Sequence, residues 1–137
     1  MIVQLEHAAL SVANLERSLA FYRDILGFET DWDGSGPYAE FKQEGTRFSM
    51  YERAQLPTLL GQSPSFPNGV NGTFEIAIDL PASAEVDREY ARVVAAGGQP
   101  IYAPRNEPWG MRSSMVADPE GNLIEIGSWN LSDQAVE

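Results

Sequence analysis

Several residue types that would direct the function are absent or scarce in this chain. It has no cysteine, which excludes a disulfide framework, a thiolate metal site and a cysteine nucleophile. Nine Lys and Arg stand against twenty Asp and Glu, so the formal net charge is -11. That charge repels phosphate backbones and anionic lipids, and no apolar run approaches the ~20 residues of a membrane span. We therefore expect neither a nucleic-acid partner nor a membrane partner.

The composition is that of an ordinary globular protein. The chain has 137 residues, of which 43% are hydrophobic and 21% charged, which predicts a single domain over residues 1–137. Its first residues lack the basic and then apolar segments of a signal peptide, so we expect a cytoplasmic location.

Residues 1–52 show a first module that begins with a strand and a helix. Over residues 5–12, Leu10 and Val12 alternate with polar or small residues, so the only histidine, His7, points away from the core side. Asn14 is a good helix N-cap, and an apolar stripe at helical spacing leads to Gly27 as the stop. Three extended pieces follow, at about residues 29–33, 38–42 and 46–52.

Residues 53–72 interrupt this pattern. Three prolines and three glycines predict a linker without regular structure. A loop of this length serves as a lid or binding loop, bridges two modules, or covers a subunit contact.

Residues 73–128 repeat the plan of the first module. Residues 73–80 alternate cleanly and place Glu75 on the polar side, and Ser83 is expected to cap a helix over residues 84–96. Extended pieces follow at residues 99–103, 111–117 and 122–127, the last two joined by a type I turn from Asp118 to Gly121. Residues 129–137 form an acidic tail, which we expect to be frayed.

The two modules are in register. Glu75 follows His7 by 68 residues, and Gly97 follows Gly27 by 70, which indicates an internal duplication. We predict an α+β fold in which two βαβββ modules form a cupped, partly open mixed β-sheet barrel with the helices outside.

The polar strand faces are expected to line the cup. They carry His7, Ser49, Tyr51, Glu75 and Glu125. An imidazole nitrogen and two carboxylates suit a hard divalent ion, with Mn(II), Fe(II), Ni, Zn and Mg all possible. In the opposing interpretation, His7 is a hydrogen-bonded wall residue, and the two glutamates pair with Arg47 or Arg112.

Two motifs near the ends of the chain resemble one superfamily. The first is His7-x-x-Leu10-x-Val12-x-Asn14-Leu15-x-x-Ser18-x-x-Phe21-Tyr22-x-x-x-Leu26-Gly27-Phe28, and the second is Asp118-Pro119-x-Gly121-Asn122-x-x-Glu125. Together they resemble the vicinal oxygen chelate superfamily of glyoxalases, extradiol dioxygenases, fosfomycin-modifying thiol transferases and bleomycin-binding resistance proteins. The resemblance implies His7, Glu75 and Glu125 as metal ligands with Ser49 at the fourth place, and a homodimer.

The chain departs from the metal-using members at two positions. Glyoxalases have Glu or Gln near Ser49, and they and the fosfomycin enzymes usually have His where this chain has Glu75. The stretch from Glu107 to Arg112 is instead similar to bleomycin-binding proteins, which use no metal. Within it, Trp109 either stacks on a ligand or plugs the cavity mouth.

Two functions are consistent with these observations. The favoured hypothesis is a divalent-metal-dependent lyase, isomerase or dioxygenase acting on a small oxygenated substrate, with Glu75 as a possible base and Ser49, Tyr51, Trp109 and Arg112 contacting the substrate. The alternative is a metal-free protein that sequesters a cationic or aromatic small molecule such as a bleomycin-type antibiotic. A serine triad is disfavoured because no nucleophile motif accompanies the single histidine.

Overall fold

The computed structural model describes residues 2–132 and divides the chain into two units, Met1–Phe66 and Pro67–Glu137. The boundary falls inside the predicted linker over residues 53–72. Each unit is described by itself below.

The first unit contains a three-stranded mixed sheet. Its elements are β1 (His7–Val12), α1 (Leu15–Ala20), β2 (Tyr38–Phe41) and β3 (Arg47–Glu52). The strand order is β1-β3-β2, with β1 parallel and β2 antiparallel to β3. The predicted cap is confirmed, because the Asn14 side chain accepts a hydrogen bond of 3.0 Å from the Arg17 amide.

One face of this sheet is covered by the helical segment. Helix α1 continues into a π-helical turn, Phe21–Ile25, which places Tyr22 fully inside the core. Tyr22 packs among aromatic rings from the segment after the helix and from β2 and β3, with ring centroids 5.8 to 6.0 Å away: Phe28, Phe41 and Phe48. Rings at these separations in tilted geometry make favourable contacts beyond the area they bury.

Two sequence expectations for this unit are wrong. Residues 29–33 form no strand but a single bridge between Thr30 and Phe41, because the Asp33 carboxylate accepts hydrogen bonds from Ser35 and starts a turn. The linker also contains regular structure, a 3₁₀ turn at Arg53–Gln55 followed by α2 (Leu56–Leu60). Pro57 is tolerated there because a first-turn residue needs no amide hydrogen bond.

The second unit follows the predicted βαβββ order. Its elements are β4 (Glu75–Asp79), α3 (Ser83–Ala95), β5 (Gln99–Asn106), β6 (Arg112–Ala117) and β7 (Leu123–Ser128). The strand order is β4-β7-β6-β5, with β4 parallel to β7 and the remaining pairs antiparallel. Edge strand β5 pairs irregularly, with register shifts between Pro100 and Tyr102 and between Tyr102 and Arg105.

Helix α3 packs across β5, β6 and β7. Val86 and Val93 of the helix and Ile124 and Ile126 of β7 are fully buried there. The prediction that Ser83 caps this helix is wrong, because the helix starts at Ser83 itself and the N-cap is Ala82.

A hydrogen-bonded turn is present before β7, as predicted. The Gly121 amide donates to the Asp118 carbonyl at 2.9 Å, and the Asp118 carboxylate accepts from the Glu120 and Asn122 amides. Of the predicted frayed tail, residues 133–137 lie outside the described residues. Asn130, in contrast, is anchored by hydrogen bonds to Pro81 and Ser83.

The α+β class with two mixed sheets is confirmed. Within residues 2–132, none of the helices combines the length and hydrophobicity needed to cross a bilayer.

Candidate functional site

The face of the first sheet opposite α1 is polar. Cross-strand pairing places Ala9 beside Ser49, Ser49 beside Glu40, and Tyr51 beside Tyr38. Because side chains alternate along each strand, His7 shares this face with these residues. The members of this first polar face are His7, Ser11, Tyr38, Glu40, Arg47, Ser49 and Tyr51.

His7 and Ser49, two of the predicted site residues, are in direct contact. The Nε2 atom of His7 lies 2.7 Å from the Ser49 hydroxyl oxygen. Ser49 is fully buried and His7 is half-buried. The prediction that His7 faces away from Leu10 and Val12 agrees with this placement, since both of those residues are in the core.

The first polar face also carries an ion pair. Arg47 donates two hydrogen bonds to the Glu40 carboxylate, at 2.6 and 3.1 Å, and the Tyr38 hydroxyl donates a third at 2.7 Å. These bonds, above all those from Arg47, lower the pKa of Glu40 to about 2. Glu40 therefore remains charged under physiological conditions, and Arg47 is already engaged, here and with Glu6 at 3.6 Å.

A second polar face lies on the sheet of the second unit, opposite α3. Pairing of Ala77 with Glu125, and of Glu125 with Met115, puts Glu75, Met115 and Glu125 on this face. Burial raises the pKa of the Glu125 carboxyl, and the neighbouring carboxylates of Glu75 and Glu107 raise it further. The structure thus brings together two predicted ligands, Glu75 and Glu125, on one face.

Glu107 is a residue of this face that the sequence interpretation did not assign to the site. Its carboxylate oxygen accepts hydrogen bonds from Arg105 at 2.6 Å and from the Ser113 hydroxyl at 2.8 Å, and its side chain is only 7% exposed. These donors, Arg105 first, lower its pKa. Tyr102 completes the network, with its hydroxyl 3.0 Å from that of Ser113. The available sequence signal was the Arg105-x-Glu107 spacing at the end of β5.

Two other predicted contact residues lie elsewhere. Arg112 is on the α3 face of the second sheet, where it donates two hydrogen bonds, of 2.8 and 2.9 Å, to Asp87. It does not lie on the second polar face with Glu125, and the carboxylate partner of its guanidinium is Asp87 rather than a glutamate of the opposing interpretation. Trp109 lies in the turn between β5 and β6 and is 59% exposed. Tyr51 is half-buried on the first polar face.

Comparison with known proteins identifies the family of the chain. The model of the glyoxalase/bleomycin resistance protein/dioxygenase superfamily matches residues 4–126, nearly the whole chain. The chain belongs to this superfamily. Its members commonly use divalent metals, bind small molecules and form dimers.

The chain is similar to several proteins of the superfamily that carry different names. It is 28% identical over 124 residues to a catechol-2,3-dioxygenase of Bacillus subtilis, and the match covers 88% of this chain but only 39% of that enzyme. A glyoxalase/bleomycin resistance protein/dioxygenase from Nocardioides has a TM-score of 0.81 at 21% identity, covering 100% of this chain and 90% of its own. A glyoxalase-related enzyme from Fulvimarina pelagi has a TM-score of 0.79 at 25% identity, and the match covers 93% of this chain and 88% of that protein. The chain therefore shares its fold with both of these proteins.

Each polar face, taken by itself, carries donor types that suit a hard divalent cation. These are the imidazole and hydroxyl on the first face and the carboxylates on the second, where burial and nearby carboxylates raise the pKa of Glu125. Among residues 2–132, however, no group of three or more His, Asp or Glu side chains has the spacing of a metal site. The ligand types fit, whereas the structure holds no preformed three-ligand set in its described part.

Proposed function

We propose that this superfamily protein is a divalent-metal-dependent enzyme of the lyase, isomerase or dioxygenase type that acts on a small oxygenated substrate. The observation that supports this most is Glu125, a half-buried carboxyl whose pKa is raised by burial and by two nearby carboxylates. A charged carboxylate at Glu125 is unfavourable there, because burial and like charges disfavour it, and a bound cation would offset both. The proposed ligands of the divalent ion are His7, Glu75 and Glu125.

The proposed chemistry gives separate roles to the ion, to Glu75 and to the first polar face. A bound ion supplies Lewis-acid polarisation of adjacent substrate oxygens. Glu75 is exposed at the start of β4, so a carboxylate there is accessible to move a proton to or from the substrate carbon. Ser49 and Tyr51 of the first polar face are the substrate contacts indicated by the sequence.

Metal analysis of the purified protein tests this proposal. We expect bound Mn(II), Fe(II), Ni, Zn or Mg, or restored binding when the ion is added after chelation. Glu125→Gln is expected to lower the affinity, whereas the exposed Glu44→Gln in the turn before β3 leaves it unchanged. A wild-type protein that binds none of these ions contradicts the proposal, and equal affinity in Glu125→Gln contradicts the ligand assignment.

The second candidate function is sequestration of a cationic or aromatic small molecule, and one observation favours it. Trp109 is 59% exposed two residues after the charged Glu107, in a chain of net charge -11. An exposed indole in an acidic protein is suited to a flat cationic ligand. Bleomycin titration of Trp109→Ala tests this, with Trp129→Ala as the control because Trp129 is 61% exposed. Binding that is absent in the wild type, or equally affected by both variants, argues against sequestration.

The oligomeric state is part of the proposal. Dimers are typical of the superfamily, and we infer that this protein forms a homodimer. Sedimentation velocity at several concentrations checks it, and a monomer throughout contradicts it. The cytoplasmic location stays a prediction.

A further inference from the structure

The hydrogen bond between His7 and Ser49 determines which imidazole nitrogen carries the proton. Parallel pairing of β1 with β3 sets Ser49 beside Ala9, two residues along from His7 on the same face. The hydroxyl oxygen and Nε2 are 2.7 Å apart, a normal distance for a hydrogen bond to either partner as donor. The burial of Ser49 determines whether its hydroxyl or Nε2 of His7 is the donor.

Ser49 is fully buried, and within residues 2–132 its hydroxyl makes a hydrogen bond only to His7. A serine hydroxyl has one proton to donate, and a neutral imidazole has one donor and one acceptor nitrogen. If Nε2–H donated to Ser49, the buried hydroxyl proton would have no acceptor, which is unfavourable. The alternative satisfies both groups, so the Ser49 hydroxyl donates to the lone pair of Nε2.

The other ring nitrogen is then protonated and must also be satisfied. The atom Nδ1 of His7 has no protein partner in the described part of the chain, yet it does not number among the buried unpartnered atoms, Ser18 Oγ and Trp32 Nε1. It therefore meets solvent, where an Nδ1–H donor hydrogen-bonds to water. Both nitrogens are accommodated by this one tautomer.

We propose that Ser49 is a positioning residue that holds His7 as the Nδ1–H tautomer and occupies its Nε2 lone pair. In this state His7 offers an N–H donor to solvent rather than a free lone pair. This role acts through His7 and differs from the substrate contact and the fourth ligand that the sequence indicated for Ser49. In combination with the proposed function, on which this last step rests, an ion gains Nε2 only after the Ser49 hydroxyl rotates away.

The single histidine makes the tautomer directly measurable. Long-range ¹H–¹⁵N correlation spectra of the apo protein at about pH 9, where imidazoles are neutral, contain one pair of imidazole nitrogens. We expect a pyrrole-type shift for Nδ1 and a pyridine-type shift for Nε2 in the wild type. In Ser49→Ala the population should move towards Nε2–H, and Ser49→Thr, which keeps the hydroxyl, should restore the wild-type pattern. A protonated Nε2 in the wild type, or an unchanged spectrum in Ser49→Ala, overturns the proposal.

Titration with Ni²⁺ alone separates this inference from the proposed function. Because Ser49 competes for Nε2, Ser49→Ala should bind the ion about two- to tenfold more tightly than the wild type, the range expected for losing one neutral hydrogen bond. Weaker binding in Ser49→Ala shows that Ser49 supports or ligates the ion and overturns the competing role. If no divalent ion binds either protein, the proposed function fails, and the ring-nitrogen spectra still decide the role of Ser49 in the apo protein.

Discussion

Glu40 and Arg47 form a two-armed ion pair between β2 and β3, with hydrogen bonds of 2.6 and 3.1 Å. The planar guanidinium matches both carboxylate oxygens, a geometry that lysine cannot reproduce. Because the Tyr38 hydroxyl donates to the same carboxylate, Glu40 is a fixed negative charge on the face that carries His7.

The lowered pKa of Glu40, about 2 against its ordinary 4.5, makes a prediction about acid stability. A carboxyl with a lowered folded-state pKa stabilises the protein above its ordinary pKa and loses that contribution as the pH falls towards 2. Glu40→Gln should therefore melt below the wild type at pH 7, and the difference should vanish near pH 2. Thermal melts from pH 2 to 7 check this, with Glu44→Gln as the control. A difference that persists at pH 2 contradicts it.

Glu125 is expected to show the opposite sign. Its folded-state pKa is raised, so the wild type loses stability as the pH rises from the ordinary glutamate pKa to the higher folded value. With a chelator present, Glu125→Gln should be more stable than the wild type at pH 7, by about 0.5 kcal/mol or less because the group is partly exposed. Urea unfolding at pH 4 and pH 7 measures the change. A less stable variant at pH 7 would show that the charged form is favoured.

Arg112 should matter for stability rather than for ligand binding. Its forked contact with Asp87 joins β6 to α3, and its side chain is 19% exposed. A double-mutant cycle with Arg112→Ala and Asp87→Ala should give a coupling energy of about 0.5 to 1 kcal/mol. Arg112→Lys should recover only part of it. Additive effects of the two changes would contradict the coupling, and lost ligand binding in a fully stable Arg112→Ala protein would return Arg112 to the site.

Gly121 and Gly110 allow the cost of a positive φ to be separated from the cost of a steric overlap. Both have a positive φ, +85° and +99°, so alanine at either position should cost about 1 to 2 kcal/mol. A Cβ at Gly121 would also overlap the Gly69 carbonyl oxygen, whereas nothing lies within 4 Å of a Cβ at Gly110. Gly121→Ala should therefore be the more destabilising by at least about 1 kcal/mol, as measured by denaturant unfolding. Equal costs would mean that residues near Gly69 move aside freely.

Much of the fold was predictable because its signals are local. Alternation around His7 and Glu75, the Asn14 cap and the Asp118 turn each depend on neighbouring residues, and each agrees with the structure. Segment 29–33 was not predictable, because its apparent strand pattern competes with an Asp33 turn that the alternation does not reveal.

The site was less predictable than the fold. Placing Arg112 required the register of β6 against β7, since a shift of one residue exchanges the two faces of a strand. The Glu107 network depends on Ser113, which reaches it across a β5–β6 pairing containing two register shifts. The burial of Ser49, which determines the role of its hydroxyl, is a tertiary property without a sequence signal.

The irregular pairing of β5 also affects how the protein behaves at high concentration. Pro100 and Pro104 have no amide hydrogen to donate, and the register shifts make the pairing of β5 irregular. Both features disfavour the addition of a further strand at β5. This edge resists sheet-to-sheet aggregation, so strand addition at β5 is a poor route to self-association.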